Sequence, residues 1–162
     1  MNILYLHGLN GSLSEEKRKI LLTYGNVQSP SVKYEIDDNS IENLRGHFLD
    51  KDVDVVIGSS MGGFVGYYLS ISFQRPALLF NPAMVSRSVF QKVPVYNNPN
   101  RSFKRLVLGA QDTVVDLRGT LEFLAKRVKD NTDYHIALRQ DLAHRIPLEI
   151  FKDEVRAFFK SL

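Results

Sequence analysis

The sequence has no cysteine, which excludes disulfides, thiolate metal sites and a cysteine nucleophile. Histidine is scarce as well. Its four copies, His7, His47, His135 and His144, are scattered along the chain, so neither a metal nor a redox cofactor is expected. No apolar stretch reaches the roughly 18 residues that a membrane span needs. The short apolar run Met1 to Leu6 has no basic segment ahead of it, as a secretory signal would. The expectation is a cytoplasmic protein with no membrane partner. Neither sign of charge dominates: 21 Lys and Arg are interspersed with 18 Asp and Glu, and a net charge of +3 argues against nucleic acid as a partner. Internal repeats and low-complexity tracts are missing too. What remains is 44% hydrophobic and 24% charged residues, the balance of a soluble globular domain rather than a disordered or fibrous chain. At 162 residues it suits one domain, 1–162, able to bury roughly 70% of the surface that the unfolded chain exposes.

Short apolar runs recur and read as strands: Ile3 to Leu6, Val32 to Ile36, Val53 to Ile57, Ala77 to Phe80, Leu106 to Leu108 and Tyr134 to Leu138. Segments with helical spacing lie between them: Ser14 to Tyr24, Ile41 to Leu49, Gly62 to Phe73, Leu117 to Val128 and Pro147 to Leu162. Ser12, three residues before Glu15, is a candidate cap for the first, and Asp116 for the fourth. Alternating strands and helices imply right-handed crossovers, hence a mostly parallel six-stranded sheet with helices on both faces. Pro94 to Arg101, with two Pro and three Asn, reads as an exposed loop.

Ligands of such a sheet bind beyond the carboxyl ends of its strands. After Val53 to Ile57 comes Gly58-Ser59-Ser60-Met61-Gly62-Gly63, a G-x-S-x-G pattern with a helix downstream, the context of a nucleophile elbow. Ser60 is central and Ser59 off-centre. Bulk at Gly58 or Gly62 would collide with neighbouring backbone in so sharp a turn. The plainer reading is a strand-to-helix turn, although the phosphate-binding patterns G-x-x-x-x-G-K-[ST] and G-x-G-x-x-G do not occur. A serine hydroxyl needs a base and the base an orienting carboxylate. His144 follows the last strand and Asp112 follows the fifth, giving the order Ser60, Asp112, His144. Asp116 is the rival acid, and His144 alone could be an ordinary loop histidine. The intermediate's oxyanion requires two backbone donors. They are expected from Met61 and from Leu9 in His7-Gly8-Leu9-Asn10-Gly11, with Asn10 second to Leu9. His7 reads as a packed structural residue. Met84 and Asn10 are candidate substrate contacts; Phe64, Phe80 and Phe90 are weaker ones.

Four segments together resemble the α/β-hydrolase superfamily: Tyr5 to Gly11, Gly58 to Gly63, Leu108-Gly109-Ala110-Gln111-Asp112, and Asp141 to His144. Within it, the short length and Leu79-Phe80-Asn81-Pro82-Ala83 most resemble the small bacterial YqiA-like esterases. The resemblance spans nearly the whole chain. It implies a minimal α/β-hydrolase fold without the first two antiparallel strands of larger relatives and without a large cap. It also implies a serine hydrolase that cleaves small acyl esters or thioesters through an acyl-enzyme, with Ser60 as nucleophile, His144 as base, Asp112 as its orienter and no cofactor. Two positions depart from the pattern: Leu9-Asn10 stands where many lipases carry further glycines, and no glycine directly precedes His144. An amidase or peptidase with the same triad, and a non-catalytic binding protein on this scaffold, are the competing readings. The physiological substrate and the oligomeric state have no signal in the sequence.

Overall fold

The structure is a computed structural model that describes residues 1–96, 101–128 and 133–162. Its strands are β1 (Asn2–Leu6), β2 (Asn26–Gln28), β3 (Val55–Ser59), β4 (Ala77–Phe80), β5 (Lys104–Gly109) and β6 (Tyr134–Arg139). The helices are α1 (Glu15–Leu22), α2 (Ser40–Phe48), α3 (Met61–Phe73), α4 (Leu117–Ala125) and α5 (Leu148–Lys160). The strands form one sheet in the order β2-β1-β3-β4-β5-β6, and every neighbouring pair runs parallel.

Period-2 alternation splits the apolar residues of each central strand between two cores. Leu4, Leu6, Val56, Leu79, Leu106 and Leu108 pack under α2, α3 and α4. Ile3, Tyr5, Val55, Ile57, Leu78 and Val107 pack on the opposite face under α1 and α5. Burial on both faces is why these strands read as unbroken apolar runs rather than alternating ones. α3 is buried along Met61 to Ser70, so it is apolar nearly all round instead of striped.

Two expectations from the sequence need correction. Val32 to Ile36 is not a strand: Tyr34 is sunk in the core while Ile36 is 79% exposed, and residues 34–36 form a turn. The sixth strand is instead β2, three residues at the sheet edge, of which only Val27 is even half-buried. So short an edge buries too little to leave an apolar signal. The cap of α1 is Ser14, whose hydroxyl accepts from the Lys17 amide, and not Ser12. Asp116 caps α4 as expected, accepting from the Gly119 amide at 3.0 Å. Of the loop expected over Pro94 to Arg101, residues 97–100 lie outside the described residues; the rest has no regular structure. Among the described residues no helix is long and apolar enough to cross a membrane.

Candidate active site

Five loops converge beyond the carboxyl ends of the strands, and the tightest is the turn from β3 into α3. Ser60 takes φ 53° and ψ −117° there, a region that a residue with a side chain occupies only under constraint. The constraint is visible. The Ser60 amide donates to the Phe80 carbonyl at 2.9 Å, and the Ser60 carbonyl accepts from Phe64 at 3.0 Å and Ala83 at 3.1 Å. Any side chain at Gly58 would run into the Gly62 carbonyl, and one at Gly62 into the carbonyls of Leu6 and His7. Both flanks are glycine because backbone fills the space, as the spacing predicts.

The loop after β1 passes beside this serine. A Cβ added at Gly8 would lie 3.3 Å from Ser60 Cβ and 3.9 Å from its Oγ. His7 anchors the loop: its Nε2 accepts from the Val32 amide at 3.0 Å, which leaves Nδ1 to carry the proton and donate to the Gly8 carbonyl at 2.7 Å. The Tyr34 hydroxyl donates to the His7 carbonyl at 3.1 Å. His7 is thus a buried brace, consistent with the structural reading given to it above. Leu9 faces the Ser60 cleft, and Met61 is the first residue of α3, where helix amides have no partner within the helix.

The loop after β5 carries Asp112, whose side chain is 2% exposed. Its Oδ1 accepts from the amides of Val114 and Val115 at 2.8 and 2.9 Å, and its Oδ2 meets His144 Nδ1 at 2.9 Å. The rival acid, Asp116, is occupied in capping α4. His144 lines a cleft of about 860 Å³ together with Ser60, Gly8, Leu9 and Met61, a volume suited to a small organic ligand. Among the described residues Ser60 Oγ makes no hydrogen bond, so the hydroxyl is uncommitted in this cleft.

Asn81, which no spacing argument points to, ties these loops together. It is 2% exposed with φ 40°. Its Oδ1 accepts from the Gly109 amide at 2.7 Å, and its Nδ2 donates to the Ala143 carbonyl at 2.9 Å. One side chain therefore spans from the end of β5 to the His144 loop. That loop is further fixed by the Gln111 amide donating to the Leu142 carbonyl at 3.0 Å.

The two candidate substrate contacts are not brought to the cleft. Met84 is 3% exposed within the core, because a turn closed by its amide on the Pro82 carbonyl at 2.8 Å directs the side chain inward. Asn10 bonds Glu35 Oε1 through Nδ2 at 3.1 Å and borders a separate hollow with His7, Lys33 and Ile36. Phe64 and Phe80 are core residues, and Phe90 stands in solvent outside the cleft lining. The walls are formed instead by Ser86, Arg87, Ser88, Lys17, Arg145 and Ile146. Burial lowers the basicity of both Lys17 and Arg87. No group of three or more His, Asp or Glu side chains among the described residues is arranged to hold a metal ion.

Comparison with known proteins agrees with this architecture. The profile of an uncharacterised protein family, UPF0227, matches residues 2–102. Among solved structures, SOBER1 from Arabidopsis thaliana superposes with a TM-score of 0.73 at 14% identity, covering 99% of this chain and 98% of that one. Mouse alpha/beta hydrolase domain-containing protein 10 gives 0.70 at 13% identity, covering 99% and 90%. Esterase PE8 gives 0.68 at 14% identity, covering 99% and 91%.

Proposed function

The chain belongs to the UPF0227 family and has the α/β-hydrolase fold, and from that premise we propose that it is a cytoplasmic serine hydrolase acting on small acyl esters or thioesters. The 2.9 Å contact between His144 Nδ1 and the buried Asp112 carboxylate, on the wall of the cleft that holds Ser60, carries this reading. A carboxylate that already accepts two backbone amides stays fixed, so it holds the proton on Nδ1 and leaves Nε2 free as the base.

In the proposed reaction Ser60 Oγ attacks the ester carbonyl carbon while Nε2 takes the hydroxyl proton. The oxygen of the tetrahedral intermediate is held by the amides of Met61 and Leu9, the first aided by the positive end of α3. The bond to the leaving alcohol or thiol then breaks, and Nε2 returns the proton to it. Water, deprotonated by the same nitrogen, attacks the acyl-serine, releasing the acid and restoring Ser60. The chain's own residues suffice for these steps, with no cofactor. An open cleft without a large cap favours small-molecule substrates.

A fluorophosphonate probe is expected to label the protein, and Ser60→Ala to abolish labelling and turnover with the circular dichroism spectrum unchanged. Asp112→Asn, which favours the wrong tautomer of His144, should lower kcat by roughly 10⁴-fold. Labelling that persists in Ser60→Ala sinks the assignment. A screen across p-nitrophenyl esters, acyl thioesters and a peptide amide would identify the leaving group.

A further inference from the structure

The formal charges that line the cleft are of one sign. Lys17 on α1, Arg87 on the loop after β4 and Arg145 beside the base all line it, and no Asp or Glu does, among the described residues. Outside the cleft, Arg45, Lys92, Arg105, Arg118, Arg139 and Arg156 take carboxylate partners, whereas Lys104 and Arg127 lie over aromatic rings. The cleft cations have no such partner among the described residues. Lys17 and Arg87 rest on aromatic faces instead, with Lys17 Nζ 5.2 Å from the Phe151 ring centre and the Arg87 guanidinium 4.0 Å from that of Phe64. Arg87 Nη1 donates to the Met84 carbonyl at 2.8 Å, while its Nε is buried without a partner. Glu15 and Glu16 share the first turn of α1 with Lys17 but lie outside the cleft lining.

Ring faces hold a cation in place without cancelling its charge. Partly desolvated and unneutralised, these groups raise the potential of the cleft and favour any anion that enters it. We infer that the substrate is an ester bearing a second, anionic group, such as a carboxylate, which the cations lining the cleft, Lys17, Arg87 and Arg145, attract while the ester carbonyl lies at Ser60. This inference rests on the hydrolase reading and names its substrate class. A neutral ester leaves the three cations unmatched; an anionic one offsets part of their charge.

The test compares monomethyl glutarate with methyl valerate, which differ in one terminal carboxylate, by pH-stat hydrolysis. A second pair, acetoxyacetate and propyl acetate, places the carboxylate on the alcohol side. At low salt kcat/KM should favour the anionic member of at least one pair by about tenfold, a factor that shrinks as added salt screens these cations. Lys17→Gln and Arg145→Gln should each reduce that ratio by about threefold, and Arg145→Glu by more. Equal rates within both pairs, unmoved by salt and by these substitutions, overturn the inference and leave the hydrolase assignment standing. If no ester is turned over, the hydrolase reading fails separately. The charge inference is then decided by titrating Ser60→Ala with monomethyl glutarate and methyl valerate, followed by NMR shifts. Saturable shifts with the carboxylate alone support it; equal or absent shifts with both overturn it.

Discussion

Asn81 does not line the cleft, yet both ends of its side-chain amide are spent on holding the end of β5 and the His144 loop in register. Asparagine tolerates a left-handed backbone better than most residues, which suits a site where the chain turns sharply after β4 and still needs a donor and an acceptor. Asn81→Ala removes both bonds and leaves the Gly109 amide and the Ala143 carbonyl unpartnered. It is expected to cost about 2–3 kcal/mol of stability and to lower kcat by about 10²-fold through misplacement of His144, with KM little changed. Steady-state kinetics alongside urea unfolding would separate the two effects; a kcat that stays within twofold of wild type would remove the positioning role. This residue also marks the limit of what was legible in the sequence. The Ser60 turn was readable because it imposes glycine at fixed offsets, and the meeting of Asp112 with His144 because each follows an apolar run of the sheet. Asn81, Lys17, Arg87 and Arg145 obey no such spacing. They reach the site from separate loops and a helix face, and only folding brings them together. Asn10 and Met84 failed for the converse reason: nearness in sequence to a strand end does not fix which way a side chain points.

Among the elements, α5 is bound to the edge of the sheet by charge as well as by its apolar stripe. Glu154 is buried against Arg105 of β5, receiving bonds at 2.9 and 2.6 Å, and against Arg139 of β6 at 3.0 Å. Arg139 continues to Asp141 at 2.8 Å, holding the Asp141 carboxyl below its usual range, at the entrance to the His144 loop. Breaking a buried pair strands its partner's charge. Glu154→Gln is therefore expected to lower stability by about 3–5 kcal/mol, read as a shift in the urea midpoint at unchanged slope. Doubly buried strands announce themselves through β-branched and aliphatic runs, and β1, β3, β4 and β5 were readable for that reason; β6, an edge strand with Ile136 and Leu138 exposed, was readable from its apolar residues alone. β2 was not, because a three-residue edge needs only backbone hydrogen bonds. Val32 to Ile36 imitated a strand because Val32 and Tyr34 dip toward the core from a turn, giving alternation without extension.

At the scale of the whole molecule, Lys104 makes stability depend on pH. Its ammonium is fully buried at the start of β5, bonded to Ser102 Oγ at 3.1 Å and 5.6 Å from the Tyr67 ring centre. Burial pushes it down to about 7 from the 10.5 usual for a lysine. Between those two values the unfolded chain holds a proton that the folded chain has released, so rising pH favours folding. Below about 7 both states are protonated and the folded state bears the full cost of the buried charge. At roughly 1.4 kcal/mol per unit, the unfolding free energy should climb by a few kcal/mol from about pH 7 to about pH 9.5. The rise ends near pH 10, where the buried tyrosines Tyr34 and Tyr67, both raised by burial, reverse the slope by ionising more readily when unfolded. Lys104→Met should be the more stable protein at neutral pH and show a nearly flat profile across that window; urea midpoints measured at both ends would reveal it.

The strand order has a consequence for synthesis. Once β3 is in place beside β1, each later strand adds to the same growing edge, so the Ser60 turn can form early while Asp112 arrives with β5 and His144 only after β6. A nascent polypeptide still attached to the ribosome would carry a serine with nothing to deprotonate it. In the proposed reaction, turnover would begin only once the loop that carries His144 has emerged and folded against β5.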